Sequence, residues 1–152
     1  MDIERTVVLI KPDAVQRNLL GEVIRRFELK GLKIVAMKMI TLSDAILDEH
    51  YAHHKDKPFF ADLKKFMMSA PVVAVVLEGE NCVKGVRIIL GPTVGHEAPA
   101  GSIRGDLSMG VATNLVHASD SAETATAEIQ RFFRPEEIFS YAKIDEGYIF
   151  QR

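Results

Sequence analysis

Tryptophan is absent, and Cys82 is the only cysteine. A lone thiol excludes an internal disulfide and points to a reducing compartment, where a single cysteine usually serves as a small apolar residue in a helix. No apolar run approaches the roughly 20 residues of a membrane-spanning helix, and Met1-Asp2-Ile3-Glu4-Arg5 lacks a signal-peptide pattern, so a soluble cytoplasmic protein with no membrane partner is expected. An excess of one charge is missing too. Nineteen Lys and Arg against 21 Asp and Glu leave a net charge of -2, so nothing draws the whole chain to nucleic acid or anionic lipid. Any recognition of an anion has to come from a local cationic cluster. Gly-x-x-x-x-Gly-Lys-Ser/Thr and Gly-x-Gly-x-x-Gly are both absent, which excludes the two commonest glycine-loop phosphate sites. His50, His53 and His54 have neither a His-Glu-x-x-His frame nor a cysteine partner, so no zinc site and no protein metal site is expected.

What is present suits one domain over residues 1–152, 47% hydrophobic and long enough to bury a core. Residues 7–10 and 72–77 (VVAVVL) are continuous β-branched runs that read as strands buried on both faces; residues 32–40 form a third, interrupted by Lys33 and Lys38. Leu20, Val23, Ile24 and Phe27 share a helical face that ends at Gly31. Ser43 caps a helix expected to run through His53. Asp56 and Pro58 open another, with Phe59, Leu63, Phe66 and Met67 as its inward stripe. Cys82, Val83, Val86, Ile89 and Leu90 make a further stripe. Leu115 and Val116 read as a short last strand, and Ala122, Ala125, Ile129 and Phe132 as the last main helix. Without the two inserted helices the order is βαββαβ. That is an α+β ferredoxin-like sandwich, a four-stranded antiparallel sheet with helices packed on it, followed by a C-terminal extension. The connection over residues 91–113 is long enough to carry a function, and either it or a partner subunit is expected to cover the second face of the sheet.

The most telling stretch is Asn114-Leu115-Val116-His117-Ala118-Ser119-Asp120-Ser121. It sets a histidine between an apolar run and a helix start rich in N-cap residues, where free amides favour an anion and a neutral imidazole is a competent nucleophile. Taken alone, it is better explained as a strand, a turn and a capped helix with an incidental histidine. It does not stand alone: TVVLIKPD at residues 6–13, KPFF at 57–60, GPT at 91–93 and IRGD at 103–106 accompany it. In this order and spacing the five motifs resemble the nucleoside diphosphate kinase family, whose signature is Asn-x-x-His-Gly/Ala-Ser-Asp.

The resemblance implies transfer of the γ-phosphoryl group from a nucleoside triphosphate to a nucleoside diphosphate by a ping-pong route through phosphohistidine on His117. It implies that Glu128 orients His117 with help from Ser119, and that Lys11, assisted by Tyr51, meets the phosphate and the ribose 3′-hydroxyl. By the same resemblance Arg87, Arg104 and Thr93 bind phosphate, with His54 near the α-phosphate. Asn114 holds the ribose, and Phe59, Leu63 and Val111 contact the base without reading its edges. Magnesium is implied as Mg2+ carried by the nucleotide phosphates. Members with a tail like residues 135–152 resemble the hexameric type, so a homo-oligomer is expected, hexamer rather than tetramer. That tail is expected to open with a helix at Pro135-Glu136-Glu137, and Ile138, Phe139, Tyr141, Tyr148, Ile149 and Phe150 need a surface to cover.

The chain departs from the family pattern at Ala118, Thr113, Gly95 and Pro99, which bear on subunit contacts more than on chemistry. A competing reading is an RNA-binding sheet, but its aromatic signature is absent and VVAVVL carries no aromatic residue, so no specific nucleic acid is expected. An inactive homologue is the third reading. It is expected to have lost catalytic positions, which this chain keeps.

Overall fold

Unbroken aliphatic runs form the two central strands of the sheet, because a strand buried on both faces has no solvent side on which to place polar residues. A computed structural model describes residues 2–150. Strands β1 (Ile3–Ile10), β2 (Lys33–Ile40), β3 (Val72–Glu80) and β4 (Val116–Ala118) make one sheet in the order β2-β3-β1-β4. Every neighbouring pair is antiparallel. The helices are α1 (Pro12–Gln16), α2 (Leu20–Leu29), α3 (Asp44–His50), α4 (Phe60–Met67), α5 (Cys82–Leu90), α6 (Ile103–Leu107), α7 (Ala122–Phe132) and α8 (Glu146–Ile149). With α2 and α5 as the crossovers, this is the expected ferredoxin-like sandwich.

Alternation along the strands divides the interior in two. Val8 and Ile10 of β1 face one core with Val73, Val75 and Leu77, closed by α2 and α5 through Val23, Phe27, Cys82, Val86 and Leu90. Cys82 donates its thiol to the Leu77 carbonyl at 3.5 Å, and burial pushes that thiol up to about 12, as suits an inert core residue. Val7 and Leu9 face the second core with Val72, Ala74 and Val76, closed by Leu47 of α3, Phe60 and Met67 of α4, and Phe132 of α7. Neither the 91–113 connection nor a partner is needed as cover; the inserted helices and α7 supply it.

Several boundaries differ from the periodic pattern for packing reasons. The helix from Ser43 stops at His50, because Tyr51 leaves helical geometry (φ -106°, ψ 30°) and a 3-10 turn, Ala52–His54, follows. Successive helical residues point about 100° apart. Breaking the helix between them lets His50 and Tyr51 both turn inward, and both are buried. The next helix begins at Phe60, not at Asp56. Phe60 takes the core position at 9% exposure while Phe59 stays 47% exposed, so the inward stripe is Phe60, Met67 and the half-buried Leu63 and Phe66. The last strand is Val116–Ala118, with His117 inside it and Leu115 outside. The 91–113 connection is structured by a 3-10 turn, Gly95–Glu97, and by α6.

After α7 the chain runs back along β2. The Phe139 N–H donates to the Val35 carbonyl at 2.8 Å, beside the bulge between Ile34 and Ala36, and the Tyr141 hydroxyl donates to the Ile34 carbonyl. Lys33 holds the Tyr141 carbonyl and pairs with Glu78 and Glu146 at 3.5 and 3.3 Å. Pro135–Glu137 is a single 3-10 turn in place of the expected helix, because Ile138 extends to reach the second core. Ile149 covers Gly31, where the φ of 94° favours glycine and a Cβ would lie 2.7 Å from Ile149 Cγ2, and Phe150 covers Gly79. Part of the apolar tail therefore finds its surface within its own chain, whereas Phe139, Tyr141 and Tyr148 remain exposed.

Adjacent phenylalanines with opposite burial give a direct test of these boundaries. Phe60→Ala should lower unfolding stability by about 3 kcal/mol through lost burial and a cavity, and Phe59→Ala should change it by no more than about 0.5 kcal/mol. Chemical denaturation reads both; equal losses would place Phe59 in the core.

Candidate active site

Register decides where His117 points. It pairs with Leu9 across β4 and β1, and paired residues project to the same face. Leu9 belongs to the second core, so the imidazole emerges on the side of α7. That helix is capped by Ser121, whose hydroxyl accepts the Thr124 N–H at 3.0 Å, and its buried stripe is Ala125, Glu128 and Phe132. A carboxylate thus occupies a position where the pattern calls for an apolar side chain. Glu128 Oε2 and Oε1 lie 2.8 and 3.0 Å from His117 Nε2. Burial at 2% exposure opposes ionisation of Glu128, but the hydrogen bond and charge of His117, with His50 and the Ser119 hydroxyl adding, outweigh it and hold the carboxyl below its ordinary value. A carboxylate only accepts, so in the neutral ring Nε2 carries the proton and Nδ1 is bare. Among the described residues Nδ1 has no hydrogen-bond partner.

The turn into β4 is strained. Leu115 has φ 74°, a conformation that costs a non-glycine residue about 1–3 kcal/mol. Asp13 Oδ2 accepts its N–H at 3.1 Å, and its carbonyl accepts the Lys11 N–H at 2.8 Å. The turn holds Asn114 against Lys11, whose Nζ donates to Asn114 Oδ1 and to the Ala112 carbonyl, both at 2.7 Å. Asn114 Nδ2 donates onward to the Thr93 carbonyl at 3.0 Å. Burial lowers the Lys11 ammonium to about 8, with Asp13 opposing and Arg104 adding. Arg104 is itself buried, donating to the carbonyls of Asn114 (3.2 Å), Gly91 (3.0 Å) and Val116, and that burial lowers its guanidinium to about 10. The glycine of IRGD is a steric requirement: a Cβ on Gly105 would lie 1.9 Å from the Pro99 carbonyl oxygen. Asp106 of the same motif ties the loop down through Arg26 (2.7 Å) and the Gly101 N–H (2.8 Å).

These groups line one cleft of about 1150 Å³. Lys11, Arg87, Thr93, Arg104, Asn114, His117 and Glu128 lie along it, as do Tyr51, His54, Phe59, Leu63 and Val111. Of the residues singled out from the sequence, Ser119 alone is not on its surface; it is fully buried, its hydroxyl 3.5 Å from the Val7 carbonyl. Arg87 donates to the Ala118 carbonyl at 3.4 Å, and burial pushes the Tyr51 phenol up to about 12, keeping it a neutral donor. The His54 ring packs 3.9 Å from that of His53 and 5.2 Å from that of Phe59; desolvation, His53 and Lys57 lower its pKa.

Among the lining residues that escape the sequence motifs are His50 and Arg131. Their signal was present but faint: Arg131 stands three residues after Glu128, on the same helical face. His50, His117 and Glu128 also form a cluster of ligand-type atoms within 4.8 Å of one another. Arg131 Nη1 lies 2.8 Å from His50 Nδ1, so a cation bound through that nitrogen would have to displace a guanidinium.

A sequence model of the family described as Nucleoside diphosphate kinase matches residues 4–138. A nucleoside diphosphate kinase of Archaeoglobus fulgidus is 51% identical over 98% of this chain and 99% of that protein. The nucleoside diphosphate kinase A 2 of Bos taurus is 50% identical over 97% of each. Among solved structures, a halophilic nucleoside diphosphate kinase from Halobacterium salinarum in complex with CDP superposes with a TM-score of 0.96 at 39% identity, covering 99% of this chain and 100% of that one. Fold, cleft and relatives agree, and the chain belongs to the nucleoside diphosphate kinase family of phosphotransferases.

Proposed function

We propose that the chain moves the γ-phosphoryl group of a nucleoside triphosphate to a nucleoside diphosphate in two half-reactions through phosphohistidine at Nδ1 of His117. The observation that carries this reading is the pinned tautomer: Nε2 is held by Glu128, which leaves the Nδ1 lone pair free in a cleft lined by Lys11, Arg87 and Arg104. Nδ1 attacks the γ-phosphorus as the bond to the β-phosphate oxygen breaks, and the diphosphate leaves with that electron pair. Glu128 offsets the positive charge that grows on the ring as the N–P bond forms. A second diphosphate then attacks the phosphorus and restores the imidazole.

Phosphoryl transfer needs positioning and charge neutralisation above all. Arg104 spends three of its five N–H groups on carbonyls, which aims the remaining two. Arg87 and Thr93 complete the phosphate contacts, with His54 toward the α-phosphate. Lys11, Tyr51 and Asn114 meet the phosphate and the ribose hydroxyls, while Phe59, Leu63 and Val111 offer the base an apolar platform that discriminates weakly. Magnesium comes with the nucleotide: Mg2+ holds most of its shell as phosphate and water, so the carboxylate of Asp120 at the cleft wall suits it without a protein cage. Held there, the ion would supply positive charge to offset that of the nucleotide phosphates. The cellular role that follows is balancing nucleoside and deoxynucleoside triphosphate pools in the cytoplasm. An RNA-binding role is disfavoured because helices bury both faces of the sheet.

Incubation with γ-labelled ATP should put acid-labile, alkali-stable label on the protein. Label that persists in His117→Ala would sink the assignment.

Lys11 adds a pH dependence. Its ammonium is lowered to about 8, so the charge is present below that pH and lost above it. The free enzyme's kcat/KM should therefore fall on the alkaline side of about pH 8, and Lys11→Arg, charged throughout, should show no such limb. An identical alkaline limb in that variant would remove Lys11 from the phosphate site.

The assembly is proposed as a homohexamer rather than a tetramer, since Phe139, Tyr141 and Tyr148 of the tail remain exposed after Ile138, Ile149 and Phe150 have docked within the chain. Light scattering at micromolar concentration should return six times the chain mass; four times that mass would refute the tail argument.

A further inference from the structure

Glu128 and Arg131 stand three residues apart on α7, the spacing at which a glutamate and an arginine pair across one helical turn. They do not pair. Among the described residues the only carboxylate within 4 Å of the Arg131 guanidinium is Glu49, at 3.3 Å, on the exposed side. On the buried side Nη1 donates instead to Nδ1 of His50 at 2.8 Å. That nitrogen is in turn 3.8 Å from Glu128 Oε2, and the His50 ring meets the His117 ring edge to face at 4.6 Å and 80°. His50 therefore stands between the guanidinium and the carboxylate that holds His117.

The chemistry of these three groups sets the state of the His50 ring. Guanidinium donates only, so His50 Nδ1 accepts and carries no proton. An unprotonated Nδ1 makes no hydrogen bond to Glu128; at 3.8 Å the carboxylate acts on His50 only through space, where it opposes the lowering of the ring's pKa. Its proton is on Nε2, which is buried and without a partner. Burial, with the charge of His117 adding, lowers the ring's pKa to about 3, so it stays neutral wherever the enzyme works.

We propose that His50 is a positioning residue that insulates Glu128 from Arg131, reserving both carboxylate oxygens for the Nε2–H of His117 and so keeping Nδ1 bare. Without it, Arg131 competes for Glu128 and the proton on His117 is no longer confined to one nitrogen. The proposal rests on the phosphohistidine reading of His117, but its first test does not depend on turnover.

His50→Phe keeps an aromatic ring against His117 and Phe132 and removes the acceptor. In the full-length protein labelled with 15N-histidine, the wild type should show widely separated His117 nitrogens, one bare and one protonated. In His50→Phe the two signals should move toward each other, and the rate of phosphorylation by ATP should fall on the order of tenfold, the usual scale for losing a partner that orients an active-site histidine. Adding Arg131→Met removes the competitor, so the double variant should recover both the separation and most of the rate. A residue needed only for folding predicts the opposite, because the double variant has lost more native contacts than the single one. A wild-type nitrogen pattern in His50→Phe, or a double variant no better than the single, overturns the proposal. Persistence of label in His117→Ala defeats the phosphohistidine reading and leaves the nitrogen experiment to stand by itself.

Discussion

The hydrogen bond between Glu128 and His117 is the constraint on which the rest of the structure depends. Taking a carboxylate to 2% exposure costs roughly several kcal/mol unless its oxygens are satisfied, and here the 2.8 and 3.0 Å contacts to Nε2 satisfy them. Those contacts need β4 in its observed register on β1 and α7 over the face that carries Leu9. A slip of one residue would turn His117 to the other core and leave Glu128 buried with no donor. Sheet register and site chemistry are therefore one requirement, and a three-residue strand is pinned more firmly than its ladder alone would pin it.

The cations of the cleft raise the opposite problem. Lys11, Arg87 and Arg104 line the same cleft, and like charge adds to the burial that lowers Lys11 and Arg104. Backbone carbonyls absorb the charge: Ala112 for Lys11, Gly91, Asn114 and Val116 for Arg104, and Ala118 for Arg87. These partial negative charges hold the donors in fixed positions within the chain itself, so their arrangement needs no ligand to form. The strained turn at Leu115 serves the same end, since the carbonyls of Asn114 and Val116 flank it and point at one guanidinium.

Residues whose role is set by local pattern were legible in the sequence. The runs 7–10 and 72–77 and the stripe of α5 read correctly, because burial on two faces and helical periodicity are short-range effects, whereas Ser119, Asp120 and Ser121 were equal cap candidates until the structure chose Ser121. The motifs also pointed to one cleft, and of the residues they named only Ser119 lies behind its surface. What escaped the pattern is set by tertiary contact. Periodicity could not say which of Phe59 and Phe60 goes inward, because that depends on where Tyr51 breaks the preceding helix. Nor could it say that the second face of the sheet is closed from within, or that Ile149 and Phe150 fold back onto Gly31 and Gly79. Arg131 was missed, and His50 was weighed only as a zinc candidate with His53 and His54, for the same reason: neither role is set until the chain brings Arg131 against His50 and His50 beside Glu128.

The inserted segment with α3 and α4 has two duties that are linked by geometry. Leu47, Phe60 and Met67 close the second core, and the residues between them, Tyr51, His54 and Phe59, line the cleft. Rings connect the two: Phe132 to His50 at 5.1 Å, His50 to Tyr51 at 4.6 Å, Tyr51 to His54 at 6.1 Å and His54 to Phe59 at 5.2 Å. The chain of contacts runs from the buried end of α7 to the cleft mouth. A packed interior transmits small displacements because it has few voids to take them up. A cavity at Phe132 would therefore be felt at His50 and, through it, at His117, so part of the core of this fold is also the support of the His117 ring.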